Sequence, residues 1–154
     1  MSGDNMDFFD VVNVYGLIFA LLLAVPLFLY SRKHPSSPDV FPNRAMVYLD
    51  RMGRFGSFFL MSFHLGFAER GFTEPKDLMK RFWIITTAIL VAACLLMWSA
   101  FVKRGGRGLA KAIAAVSASS VMLSGILQVN ILLLTAGIIY LIGELYIIRC
   151  VIPK

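Results

Sequence analysis

Charge is what this chain of 154 residues has least of. Charged residues make up 16% of it and only nine are acidic, where soluble globular domains carry about 25% charged residues. That shortfall excludes an ordinary solvated surface. Cysteine occurs twice, as Cys94 and Cys150, with no C-x-x-C spacing, so neither a disulfide framework nor a metal site is supported. No H-E-x-x-H, G-x-S-x-G or Walker loop is present, and the reading is therefore non-enzymatic, with no cofactor and no metal. A basic leader is missing too. Asp4, Asp7 and Asp10 stand where a signal peptide would carry Lys or Arg, and the first apolar run is expected to stay in the mature protein.

Long apolar runs are what the chain has instead. Hydrophobic residues make up 58% and the mean hydropathy is +0.76. A helix of ~20 apolar residues crosses the ~30 Å hydrocarbon layer. These runs predict an all-α integral membrane bundle in one domain, residues 1–154, with five transmembrane helices over about 8–30, 55–70, 82–102, 112–127 and 131–148. Pro26 falls inside the first, where neighbouring helices can tolerate it. The second is the shortest, with 14 uncharged residues between Arg54 and Glu69. Its alternative is a re-entrant or interfacial segment, leaving four crossings.

Between the first two runs, Asn43 is a predicted N-cap. Met46, Leu49 and Met52 recur every three residues after it, with Arg44, Asp50 and Arg51 turned elsewhere, as in a short amphipathic helix lying on the membrane surface over 44–53. In the third run, Trp83 and Trp98 sit towards opposite ends, as interfacial rings do. Gly105-Gly106-Arg107-Gly108 is a turn, and Gln128-Val129-Asn130 a tight hairpin between the last two runs.

The net charge of +6 does not point to nucleic acid, because Lys and Arg are placed between the apolar runs. With five crossings, Arg70, Lys76, Lys80 and Arg81 fall on one side. Arg32, Lys33, Arg44, Arg51, Arg54, Lys103, Arg104, Arg107, Lys111, Arg149 and Lys154 fall on the other. Eleven against four orients the protein in the plasma membrane with the N-terminus outside and the C-terminus in the cytoplasm. If the second run does not cross, the split is nine against six. The cytoplasmic cations, including those of the Gly-rich turn, suit anionic lipid headgroups.

Ionisable groups inside apolar runs need a partner or water. His64 would lie near mid-membrane, on one helix face with Arg54, Ser57 and Met61. Glu144 lies five residues before Arg149, and Arg54 comes to similar depth on the same side, which predicts an Arg54–Glu144 pair between helices. The trio His64, Glu144 and Arg54 is the candidate intramembrane polar site. As a structural feature it is an ion-pair clip with a hydrogen-bonded imidazole; as a functional one, a proton or cation site. Ser117, Ser120 and Ser124, with Ala114 and Ala118, form a small-residue face for helix packing, with a hydroxyl-lined pore as the alternative. Gly53 and Gly56 read as packing positions also. Asn13, Gln128 and Asn130 are placed near the outer surface, in water, with no role.

The stretches RAMVYLDRMGRFGSFFLMSFHLGFAERGF (44–72) and LSGILQVNILLLTAGIIYLIGELYIIR (123–149) resemble a group of small uncharacterised polytopic membrane proteins of Firmicutes-type bacteria. Asp50, Gly53, Arg54, Phe55 and Gly56 match that group's acidic-x-x-Gly-Arg-aromatic-Gly pattern, and Leu123-Ser124-Gly125-Ile126 a second stretch. The group usually carries Asn at the position of His64 and His at that of Glu144. The resemblance implies a membrane bundle of bacterial origin and no function. Two functional readings stand: a small transporter or channel, oligomeric because five helices enclose little, or an accessory subunit packing on a membrane partner through the small face of the fourth span.

Overall fold

The computed structural model describes residues 12–33, 41–63 and 75–151. Among these are five helices and no strand: α1 Val14–Lys33, α2 Arg44–Ser62, α3 Lys76–Arg104, α4 Arg107–Leu127 and α5 Ile131–Val151. Three of them, α3, α4 and α5, are long and apolar enough to cross a membrane.

Side-chain caps set the starts of α1, α2 and α5. Asn13 Oδ1 accepts from Gly16 N at 3.1 Å, Asn43 Oδ1 from Ala45 N at 3.1 Å and Asn130 Oδ1 from Leu133 N at 3.0 Å, each satisfying an orphan amide of a first turn. Between α3 and α4, Gly105 and Gly106 have φ of 65° and 112°, a conformation that side chains disfavour, so the chain reverses there.

Consecutive helices run in opposite directions. Trp83 near the start of α3 meets Ser124 near the end of α4, and Gly125 of α4 lies against Leu134 of α5. Asn13, before α1, takes the carbonyl of Ser62, at the end of α2, at 2.8 Å. Each helix packs on two neighbours in a closed order, α1–α2–α5–α4–α3 and back to α1, while α2 also touches α4 across the ring. Phe19, Leu23, Met61, Trp83, Val121 and Leu133 fill the middle. The outside is apolar too, with Phe28, Met52, Phe55 and Leu96 each more than half exposed. An exposed apolar surface of that extent marks a membrane or protein partner, not water.

Two sequence expectations change here. No separate surface helix forms over 44–53, because α2 runs unbroken through Gly53 and Gly56. A glycine in a helix costs only about 1 kcal/mol, and Gly53 is pressed against the Tyr140 backbone, where a Cβ would stand 2.7 Å from Tyr140 N. The second apolar run, placed at 55–70, is helical only to Ser62, with Phe63 extended and bridged to Val12; the rest of that run lies outside the described residues.

The first, third, fourth and fifth apolar runs fall within α1, α3, α4 and α5, apart from residues 8–11, which lie outside the described residues, and 12–13, which precede α1.

Candidate functional site

The site is built where α2 and α5 cross. Gly143 lies on Asp50, with a Cβ position 2.6 Å from the Asp50 Cα, and Gly53 lies on Tyr140. Small residues at that spacing let two backbones approach closely, which brings charged side chains of both helices together. Arg54 donates from Nη2 to Glu144 Oε2, and the same nitrogen stands 3.0 Å from Asp50 Oδ2 one turn earlier on α2. The guanidinium carbon sits 5.6 Å above the centre of the Tyr140 ring, within cation–π range.

Burial is unequal. The Asp50 side chain is 2% exposed, Glu144 14% and Arg54 24%. Two carboxylates thus share one guanidinium, and Asp50 Oδ1 and Arg54 Nε have no partner among the described residues. With all three groups ionised the cluster is negative by one charge, in surroundings where an uncompensated charge is costly.

Beneath the guanidinium, the Tyr140 hydroxyl lies 3.0 Å from Ser117 Oγ. Ser117 donates to the Ala114 carbonyl at 3.1 Å, so the Tyr140 hydroxyl is the donor in the pair. Ser120 and Ser124 continue the α4 face, buried and donating to the carbonyls of Val116 and Ser120 at 3.0 and 2.9 Å. Ser124 also accepts from Trp83 Nε1 at 2.8 Å. The serine face is consumed inside the chain, against α3 and α5.

Of the sequence-derived trio, Arg54 and Glu144 are in contact, and His64 lies outside the described residues. Ser57 and Met61, read on the Arg54 face, are fully buried. Asp50, expected on the polar side of a surface helix, is instead among the most buried side chains. The Asp50-x-x-Gly53-Arg54-x-x-Ser57 spacing carries that signal, since these polar and small residues recur on one helix face, and the Asp50–Gly53 part of that face packs against α5. Trp83, read as an interfacial ring, is fully buried because its N–H has a partner in Ser124. Asn13, Gln128 and Asn130, read as solvated, are 7%, 1% and 1% exposed; Asn13 and Asn130 are buried as helix caps.

Among the described residues, no three His, Cys, Asp or Glu side chains cluster as a metal site. No family model, no curated protein and no solved structure matches this chain.

Proposed function

We propose that the chain is a five-crossing protein of the plasma membrane, with a cytoplasmic C-terminus, that acts as a small proton-handling transporter through Asp50, Arg54 and Glu144. The observation that carries the reading is the surplus carboxylate. A structural clip needs one anion for one cation. Here a second, almost fully buried carboxylate shares the same guanidinium and keeps one oxygen free. Taking up and releasing one proton changes the charge of such a cluster without dismantling the Arg54–Glu144 bond.

The alternating helix directions support the five-crossing arrangement. The ends of α1, α3 and α5 and the starts of α2 and α4 share one side, with exposed Arg32, Arg44, Lys103, Arg104, Lys111 and Arg149. Cations gathered at one end fit a cytoplasmic surface facing anionic headgroups. The accessory-subunit reading is less well supported, since the small face of α4 on which it rests is occupied by Trp83 and by α5.

The test is flux. The full chain is reconstituted in liposomes with a pH-sensitive dye inside, and a potassium diffusion potential is imposed with valinomycin. The native protein acidifies or alkalinises the lumen with the sign of the potential, and Asp50→Asn and Glu144→Gln do not. Equal traces for native protein and protein-free liposomes would sink the reading.

A further inference from the structure

Outside the charged cluster, three fully buried side chains keep polar atoms that meet no partner among the described residues. Ser57 Oγ, Thr87 Oγ1 and both amide atoms of Gln128 have no partner among the described residues, and these residues are 0%, 0% and 1% exposed. Hydroxyls on helices commonly settle on their own backbone. The outward-facing Thr86 and Thr135 do so, donating to the carbonyls of Phe82 and Ile131 at 2.7 and 2.8 Å. Thr87 and Ser57 do not, although they are buried where an unmet hydroxyl is most costly.

The helix registers bring these groups to common levels. Trp83 meets Ser124 across the antiparallel α3–α4 pair. One turn further along α3 is Thr87 and one turn back along α4 is Ser120, so those two stand at one height. Gly53 lies on Tyr140, and one turn along α2 brings Ser57 to the height of Ala136 and Gly137. Gly137 in turn lies against Val121, next to Ser120. Ser57, Thr87 and Ser120 therefore form one layer, contributed by three helices and lying ~6 Å beyond the level of Gly53.

Spacing along the axis is regular. Ser117, Ser120, Ser124 and Gln128 follow at intervals of three, four and four residues, hence ~4.5–6 Å per step. Two hydrogen bonds of ~2.8 Å with a water between them cover that distance. A buried water needs two to four polar partners, and the Ser57–Thr87–Ser120 layer supplies three.

We propose that Tyr140, Ser117, Ser120, Thr87, Ser57, Ser124 and Gln128 form a water-bridged proton path from the Asp50–Arg54–Glu144 cluster to the α4–α5 hairpin at the opposite end. This rests on the transport reading and adds the route. For a proton to pass, the serine hydroxyls turn from the Ala114, Val116 and Ser120 carbonyls onto neighbouring waters, and the Tyr140 hydroxyl turns from Ser117 towards the cluster. Each hydroxyl or water then accepts a proton on one side and gives one up on the other, so one proton enters at the hairpin and one arrives at the carboxylates. No covalent bond changes otherwise. The Gln128 amide gives up no proton and orients the water at the mouth.

Two readouts test it on the full chain in liposomes. In a background with Cys94 and Cys150 replaced, Thr87→Cys is exposed to Ag+, a water-sized thiol reagent, and the remaining free thiol is alkylated after denaturation. Ag+ protects Thr87→Cys and not the lipid-facing control Ile85→Cys. In the flux assay, Thr87→Val and Gln128→Leu slow proton movement about tenfold or more, while Thr87→Ser, which keeps the hydroxyl and controls for folding, stays near the native rate. If native protein conducts, Asp50→Asn abolishes flux, and Thr87→Val and Gln128→Leu leave it unchanged, the path is wrong and the transport reading stands. Failure of Ag+ to protect Thr87→Cys overturns the path likewise. If native protein carries no proton flux at all, the transport reading falls and the path with it, whatever Ag+ reaches.

Discussion

Gly143 and Asp50 touch so closely that α5 has no room for a side chain there. A Cβ on Gly143 would stand 2.6 Å from both the Cα and the Cβ of Asp50 and 2.9 Å from its backbone nitrogen. Two of these three atoms are backbone, so the helices themselves must separate to admit a methyl group. Gly143→Ala is expected to cost about 1–3 kcal/mol, the usual range for overpacking, and to pull Glu144 away from Arg54. Gly56→Ala is the control, since the nearest atom to its Cβ position is the Ala136 Cβ at 3.9 Å. Unfolding in detergent, followed by circular dichroism, should separate the two variants clearly.

Val129 holds a different kind of strain. It sits in the α4–α5 hairpin with φ of 51°, a left-handed conformation that costs a non-glycine residue about 1–2 kcal/mol and is rarest for β-branched side chains. The hairpin requires it, because Asn130 N returns to the Gly125 carbonyl at 2.8 Å while Asn130 also caps α5. Val129→Gly should raise stability by up to about 1 kcal/mol, the gain being reduced by the extra freedom of glycine in the unfolded chain. A lower melting temperature in this variant would mean that Val129 contributes packing worth more than its strain.

How much of this was legible in the sequence depends on which physical signal each residue carries. The hairpin at Gln128–Asn130, the break at Gly105–Gly106 and the Asn43 cap followed from turn and capping chemistry, which is local. The meeting of Arg54 and Glu144 followed from depth alone, because helix rise and alternating direction put both at one height. Asp50 does not stand out in the sequence, because Met46, Leu49 and Met52 have the spacing of the buried stripe of a surface helix. Leu49 and Met52 are 41% and 70% exposed, while Val47, Asp50, Gly53, Ser57 and Met61 face inward. In water the apolar face of a helix is hidden; against lipid it is the face that shows. Trp83 misled for a similar reason, since its ring position suited an interface while its N–H partner, Ser124, lies 41 residues away in sequence. Long-range partners of that kind leave no local pattern.

The proposed five-crossing arrangement makes a topological prediction. Lys76, at the start of α3, and Gly108, in the first turn of α4, are exposed and lie at opposite ends of the bundle. Gly108 has open space at its Cβ position and no positive φ, so it accepts a cysteine better than Gly105 or Gly106. In a background without Cys94 and Cys150, an impermeant maleimide added to intact cells should label Lys76→Cys and leave Gly108→Cys unmodified until the membrane is opened. Labelling of both from outside, or of Gly108→Cys alone, would overturn the orientation.

Stability and transport should part company at the charged cluster. Removing the cation strands two carboxylates, one of them 2% exposed, so Arg54→Ala is expected to destabilise the protein by about 3–5 kcal/mol, as for other broken buried pairs. Asp50→Asn does the opposite to the charge balance: it leaves one carboxylate for one guanidinium, keeps the shape of the side chain beside Gly143, and removes the surplus negative charge. If the cluster were only a clip, the Asn variant would be at least as stable as the native protein and equally active in any assay. If the surplus carboxylate is the proton carrier, the Asn variant is as stable or more so, and proton flux is lost. Melting in detergent and flux in liposomes, measured on the same preparation, distinguish the two. A variant that loses stability and flux together would show instead that the ionised Asp50 carboxylate holds α2 to α5, and the surplus charge would need another explanation.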